Sequence, residues 1–274
     1  MAAAAPPPPP ERPDAPPVGD PGLVEVWQRV QEALIALPNY FRSETNIEGV
    51  GATDLFTLSS TLGASIEVQV VRTLNLIREV WETDEVKLYG FRRYEQVFPD
   101  VRFELGLPNG NREVKFGIEL KGWYLLSKEA EPSFRYKVDP DACSQWDLLV
   151  VVPWYLTNVL SGRPVVLQPF IERARWAAEK RNHWWEHEKQ WQRAEDDRSI
   201  VRPSGVGDLP PYPMKKEKIS DRAITDSGGN FGRIARVGVM DEYVERMLDQ
   251  PLAGVPARSW ITFLKRHAEV SSDV

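Results

Sequence analysis

Apolar and polar positions recur with two different periods along the chain. From residue 21, Leu23, Trp27, Val30, Leu34 and Leu37 return at helical spacing. Asp20-Pro21 supplies a capping residue and a first-turn proline, and Pro38-Asn39 closes the segment. A second helix is predicted over 61–81, with Ile66, Val70, Leu74, Ile77 and Trp81 as its buried stripe. The period then falls to two. Val101, Phe103 and Leu105 alternate with Asp100, Arg102 and Glu104. Val114, Phe116, Ile118 and Leu120 alternate with Lys115, Gly117, Glu119 and Lys121. Pro108-Asn109-Gly110-Asn111 lies between, and Asn-Gly is a strong hairpin signal.

Residues 133–138 read as a further strand, and the solid apolar run 148–152 as a strand buried on both faces. Pro169 opens a predicted helix to about Gln192, with Phe170, Ala174, Ala177, Ala178, Trp184, Trp185 and Trp191 on its apolar side. Helices before and after a sheet predict an α/β fold, an α/β/α sandwich with a mixed central sheet. Four segments are expected: a disordered or polyproline-like Ala/Pro tail (1–20), a core domain (21–198), a linker or exposed loop (199–228) and a small helical C-terminal module (229–274).

Composition narrows the class. Hydrophobic residues make up 42% of the 274, enough for a core, and no run is long enough to predict a membrane span. The single Cys143 excludes an internal disulfide and a cysteine-rich metal site. With no basic, apolar leader at the N-terminus, a cytoplasmic location is expected. The net charge of −6 argues against a uniformly basic nucleic-acid binder, though not against a local basic groove.

The hairpin carries the chemical signal. A two-residue turn at Asn109-Gly110 sets Asp100 directly across from Glu119 and puts Lys121 on the same face. Two facing carboxylates repel, so a cation must offset them, either Lys121 or a hard divalent ion such as Mg2+. Two acids, a metal and a lysine form a workable set for phosphodiester cleavage. Solvent-facing strand charges are the alternative.

Phe98-Pro99-Asp100 followed by Gly117-Ile118-Glu119-Leu120-Lys121-Gly122 resembles the PD-(D/E)XK nuclease superfamily, the restriction-endonuclease-like fold. The order of elements over roughly 60–190, including a helical stretch at 139–146, agrees with it. The resemblance implies that Asp100 and Glu119 bind Mg2+ (Mn2+ as substitute), that Lys121 assists the attacking water, and that Glu67 adds a metal-binding acid from the first core helix. It further implies a DNA endonuclease, in restriction or phage defence. A homodimer, with 170–192 as interface, would suit duplex DNA.

Several other features are candidates. Arg102, Lys115, Arg135 and Lys137 are expected to line the same cleft and meet phosphates. Gln145 and Asp147 precede the buried strand, with Asp147 either functional or a loop cap. Ser133 and Tyr136 carry no signal. His183-Trp184-Trp185-Glu186-His187 matches an inverted zinc-protease pattern without a third ligand, so a zinc hydrolase is a lesser alternative. Arg173, Arg175, Lys180 and Arg181 are expected to form local pairs with Glu172, Glu179 and Glu186. The Asp226–Arg233 glycine stretch reads as a tight turn, with Arg233 and Arg236 as weak nucleic-acid contacts. A non-catalytic subunit that keeps the fold and binds a partner protein through the proline tail or C-terminal module is the competing class.

Overall fold

The computed structural model describes residues 6–189, 198–207, 212–226 and 230–271. Helix α1 (Pro21–Tyr40) starts as expected: the Asp20 carboxylate accepts the Gly22 N–H at 3.3 Å, and Trp27, Val30, Leu34 and Leu37 are buried. It runs through Pro38 to Tyr40, because a proline in the last turn removes one amide bond without stopping the turn. The second helix divides into α2 (Ala52–Leu76) and the single turn α3 (Arg78–Trp81), broken at Ile77.

The strands β1 (Gly90–Arg93), β2 (Val101–Gly106), β3 (Arg112–Tyr124), β4 (Leu148–Leu156), β5 (Pro164–Val166) and β6 (Phe170–Arg173) form one mixed sheet. The order is β1-β2-β3-β4-β5, with β6 also pairing β4. Only β3 and β4 run parallel. Asn75 of α2 fastens edge strand β1, its side chain accepting the Phe91 N–H at 2.9 Å and donating to the Phe91 carbonyl at 2.8 Å. Phe103 centres an aromatic cluster with Trp81, Tyr89, Phe91 and Phe116, with ring centroids 5.0–5.4 Å away.

Two departures in the β2–β3 hairpin cancel. The loop has three residues, Pro108-Asn109-Gly110, closed by Leu107 N–H to Asn111 O at 2.8 Å, with Gly110 in the left-handed region at φ +82°. That turn alone would set Asp100 across from Ile118 and send Glu119 into the core. A bulge at Lys115 inserts one residue between the pairs Glu104–Val114 and Phe103–Phe116 and restores the register Val101–Ile118. Asp100 therefore ends beside Glu119, as a two-residue turn would also have placed it.

Three predicted elements are corrected. Residues 133–138 form only isolated bridges, Arg135 to Arg233 and Val138 to Ser220. The 139–146 stretch holds one 3-10 turn, Pro140–Ala142. The helix predicted from Pro169 begins as β6, and α4 spans only Ala174–His183, continued by a π-helical turn at Trp184–Glu188. The apolar spacing of 170–178 fits a helix, but the fully buried β4 leaves an edge that Phe170–Arg173 pairs, and tertiary pairing outweighs local propensity. Gln192 and Trp191 lie outside the described residues.

The expected boundaries also change. In its described residues the 199–228 stretch is partly packed: β7 (Ile200–Val201) pairs β8 (Arg222–Ala223), and Ile219 and Asp221 are buried, while 201–202 and 214–217 are exposed as expected of a loop. The C-terminal elements α5 (Asp241–Leu248), the β9 (Pro251–Leu252) and β10 (Val255–Pro256) hairpin, and α6 (Ala257–Ser271) share the main core rather than forming a separate module. The Tyr243 hydroxyl donates to the Gln168 carbonyl at 2.6 Å. The described part of the tail, from residue 6, is docked along β6 and α4 rather than free in solvent.

Arg181 decides much of this packing. Expected in a local ion pair with a neighbouring Glu, it is fully buried and donates to the Tyr136 and Val138 carbonyls at 2.6 and 3.0 Å and to Asp221 at 2.9 Å. It thus ties α4 to the 135–138 segment and to the 219–223 segment. Burial, then a hydrogen bond shared with Asp139, raises the Asp221 carboxyl to about 7 against the pull of Arg181.

Candidate active site

Asp100, Glu119 and Lys121 converge on the sheet face opposite Phe116, Ile118 and Leu120. The Lys121 ammonium lies 2.8 Å from Asp100 Oδ2 and 2.8 Å from Glu119 Oε1. The Asp100 amide donates to Glu119 Oε2 at 3.3 Å. Gly117, one pair before Glu119 on this face, has no room for a side chain: a Cβ there would stand 2.0 Å from Pro99 Cγ. That close approach seats Pro99, and with it Asp100, against β3.

The electrostatics follow from burial. Burial raises the Glu119 carboxyl to about 7; Lys121 opposes this and the neighbouring Asp100 adds to it. Burial pulls the Lys121 ammonium down, but Glu119 and Asp100 together outweigh it and the group is held well above its ordinary value. Lys121 therefore stays charged, bridging two acids of which burial makes Glu119 the more easily protonated.

Glu67 stands on α2 near this trio but turned aside. Its Oε2 meets Arg93 at 3.4 Å and its Oε1 accepts the Gly122 N–H at 3.4 Å. Burial raises its carboxyl, with Lys121 lowering and Asp100 raising it, so it lies within their electrostatic reach. α2 comes this close because Gly122 and Gly63 abut, a Gly122 Cβ falling 3.1 Å from Gly63 Cα.

The trio lines a cleft of about 330 Å3 with Arg135, Lys137 and Lys216 on its walls. Of the four expected phosphate contacts, two are here. Arg135 pairs with Asp226 at 3.2 Å, and Lys137 pairs with the same carboxylate. The other two are not. Arg102 is buried between the rings of Tyr94 and Tyr212, at 4.5 and 5.1 Å from their centroids. Lys115 sits on the bulge, paired with Glu113 at 2.7 Å. Lys216 was missed; the Lys215-Lys216-Glu217-Lys218 run was visible, but only tertiary folding carries it to the cleft.

Asp147 resolves as a loop fastener. Its carboxylate accepts from Gly117 N–H, Ser144 N–H and the Tyr212 hydroxyl, each at 2.7 Å. Burial still raises it to about 7. Gln145 donates to the Val18 carbonyl, Ser133 is exposed, and the buried Tyr136 hydroxyl donates to the Ala174 carbonyl at 2.9 Å. Arg236 reaches Glu131 at 2.5 Å, and Arg233 reaches it at 3.9 Å. Of the glycine stretch, 227–229 lie outside the described residues.

The zinc pattern gains no support. His183 Nδ1 meets Glu188 at 2.9 Å and its Nε2 meets the Pro7 carbonyl at 2.8 Å, so both ring nitrogens are engaged. The expected local ion pairs give way to longer reaches: Glu172 pairs with Arg12, Lys180 with Glu188, and Arg175 donates to the Cys143 carbonyl.

Among the described residues no three His, Cys, Asp or Glu side chains are gathered as a ready metal cluster, and no helix is long and apolar enough to cross a membrane. Asp100 and Glu119 do fit a hard cation in donor chemistry, since both present carboxylate oxygens to a single cationic group. No protein-family model, curated protein or solved structure matches the chain.

Proposed function

We propose that this protein is a Mg2+-dependent endonuclease acting on DNA, with the mixed sheet and its flanking helices as a restriction-endonuclease-like α/β/α sandwich. The observation that carries the reading is the pair of 2.8 Å contacts from Lys121 to two facing carboxylates, inside a cleft walled by Arg135, Lys137 and Lys216. Asp100 and Glu119 would hold the metal, with Glu67 as an auxiliary acid. A bound Mg2+ would supply charge neutralisation at the phosphate and an activated water.

The chain's own groups do the rest. Lys121, kept cationic by its two partners, orients the water and meets charge developing on the phosphate. The basic walls seat the flanking phosphates by charge. Restriction or phage defence is the role we assign on the resemblance.

The test is cleavage of plasmid and linear DNA with Mg2+ or Mn2+, comparing wild type with Asp100→Ala and Lys121→Ala. Metal-dependent cutting lost in both variants is the expected result. No cutting of DNA or RNA by wild type, together with no metal binding by calorimetry, overturns the reading in favour of a non-catalytic binding subunit.

A further inference from the structure

Over residues 7–12 the tail crosses the outer side of β6 and α4 antiparallel to the chain there. His183 Nε2 meets the Pro7 carbonyl at 2.8 Å, and the Trp176 indole N–H donates to the Pro10 carbonyl at 3.1 Å. Arg12 pairs with Glu172 at 2.6 Å, and Arg173 donates to the Ala15 carbonyl. Pro17 is buried beyond them.

The two repeats match in length. Trp176 and His183 are seven residues apart on α4, about 10.5 Å along a helix axis. Pro7 and Pro10 are three apart, and a polyproline helix places every third carbonyl on one side about 9.3 Å along. The Pro7 and Pro10 carbonyls thus meet an imidazole and an aromatic indole donor, and the arginine two residues after Pro10 meets an acid that is more than nine-tenths buried. Aromatic-lined grooves read proline-rich segments in this way. Burial raises the Glu172 carboxyl; the Arg173 amide, which donates to it at 2.8 Å, and the Arg12 guanidinium of the tail offset that cost, so a cation lying in the groove is favoured there.

We propose that the α4–β6 face is a recognition groove for segments of the pattern Pro-x-x-Pro-x-Arg, occupied in cis by residues 7–12 and open in trans to a proline-rich segment of another protein. Every tail contact to a backbone carbonyl is one that any peptide in the same conformation repeats, so selectivity rests on the extended conformation that prolines favour and on the arginine. The tethered tail competes at an effective concentration on the order of millimolar, which keeps weak ligands out. The proposal is independent of the nuclease reading.

The experiment uses the full-length chain carrying Pro7→Gly, Pro10→Gly and Arg12→Ser, with a labelled synthetic peptide of residues 6–18 and fluorescence anisotropy. The loosened chain should bind the peptide at least about tenfold more tightly than wild type does, because cis competition is reduced. Adding Trp176→Phe, which keeps the ring and removes its donor, should weaken binding about fivefold, the loss of one hydrogen bond. Adding Glu172→Gln instead should weaken wild-type peptide binding while leaving unchanged the binding of a peptide lacking the arginine. Three results each overturn the proposal: no binding to a loosened chain whose unfolding midpoint is unchanged, equal binding of a scrambled peptide, or affinity insensitive to both groove substitutions.

Discussion

Replacing Glu119 by Gln separates the cost of this site from its use. Burial is the main cause that lifts the Glu119 carboxyl above its unfolded value. A group raised in the folded state contributes stability that is fully present below about pH 4.5 and is lost as pH climbs through about 7. At about 1.4 kcal/mol per pH unit, the rise from 4.5 to about 7 amounts to about 3 kcal/mol. Glutamine keeps the shape of the neutral acid and has nothing to ionise. The variant should therefore match wild type within about 1 kcal/mol at pH 4.5 and exceed it by about 2–3 kcal/mol at pH 8.5. Asp147 and Asp221, also raised to about 7, give wild type and variant the same slope and cancel in the difference. Urea denaturation at a series of pH values reads this directly. Added Mg2+ should raise the wild-type midpoint at pH 8.5 and leave the variant unmoved, since only the ionised pair gains from a cation. Profiles that stay parallel within about 0.5 kcal/mol across that range would refute the reasoning.

Arg181→Met should cost about 3–5 kcal/mol in urea denaturation, because it removes the cation paired with buried Asp221 and the donor to the Tyr136 and Val138 carbonyls; a loss under about 1 kcal/mol would mean the network is not a tie. Gly117→Ala should cost about 1–3 kcal/mol and cut DNA cleavage sharply, because the new methyl displaces Pro99 beside Asp100; unchanged cleavage would show that Asp100 needs no such seat. Lys216→Glu should weaken DNA binding across sequences and lower the slope of log affinity against log salt by about 1–2, with an unchanged slope excluding contact.

The sequence by itself determined the elements whose pattern is local and strong. The α1 stripe, the hairpin alternation and the all-apolar β4 each announced their period, and the register put Asp100, Glu119 and Lys121 on one face, while their reading as a site rested on the resemblance. That register was reached through two offsetting features, a third loop residue and the Lys115 bulge, so the face was right while the path to it was not. Residues 170–173 read as helix because a short apolar run does not distinguish the two periods; the unpaired edge of β4 made them a strand. Arg102 read as a phosphate contact and Arg181 as a locally paired charge because the groups that complete their burial are distant in sequence. Tyr212 lies 110 positions from Arg102 and Asp221 lies 40 from Arg181, and only chain crossing brings them together. The docking of the proline tail is likewise silent locally, since its partners Glu172, Trp176 and His183 are more than 150 residues away. Period and turn chemistry are properties of neighbours along the chain, whereas burial, pairing and charge compensation belong to neighbours in space, and the second kind decided which charged residues remain available for chemistry.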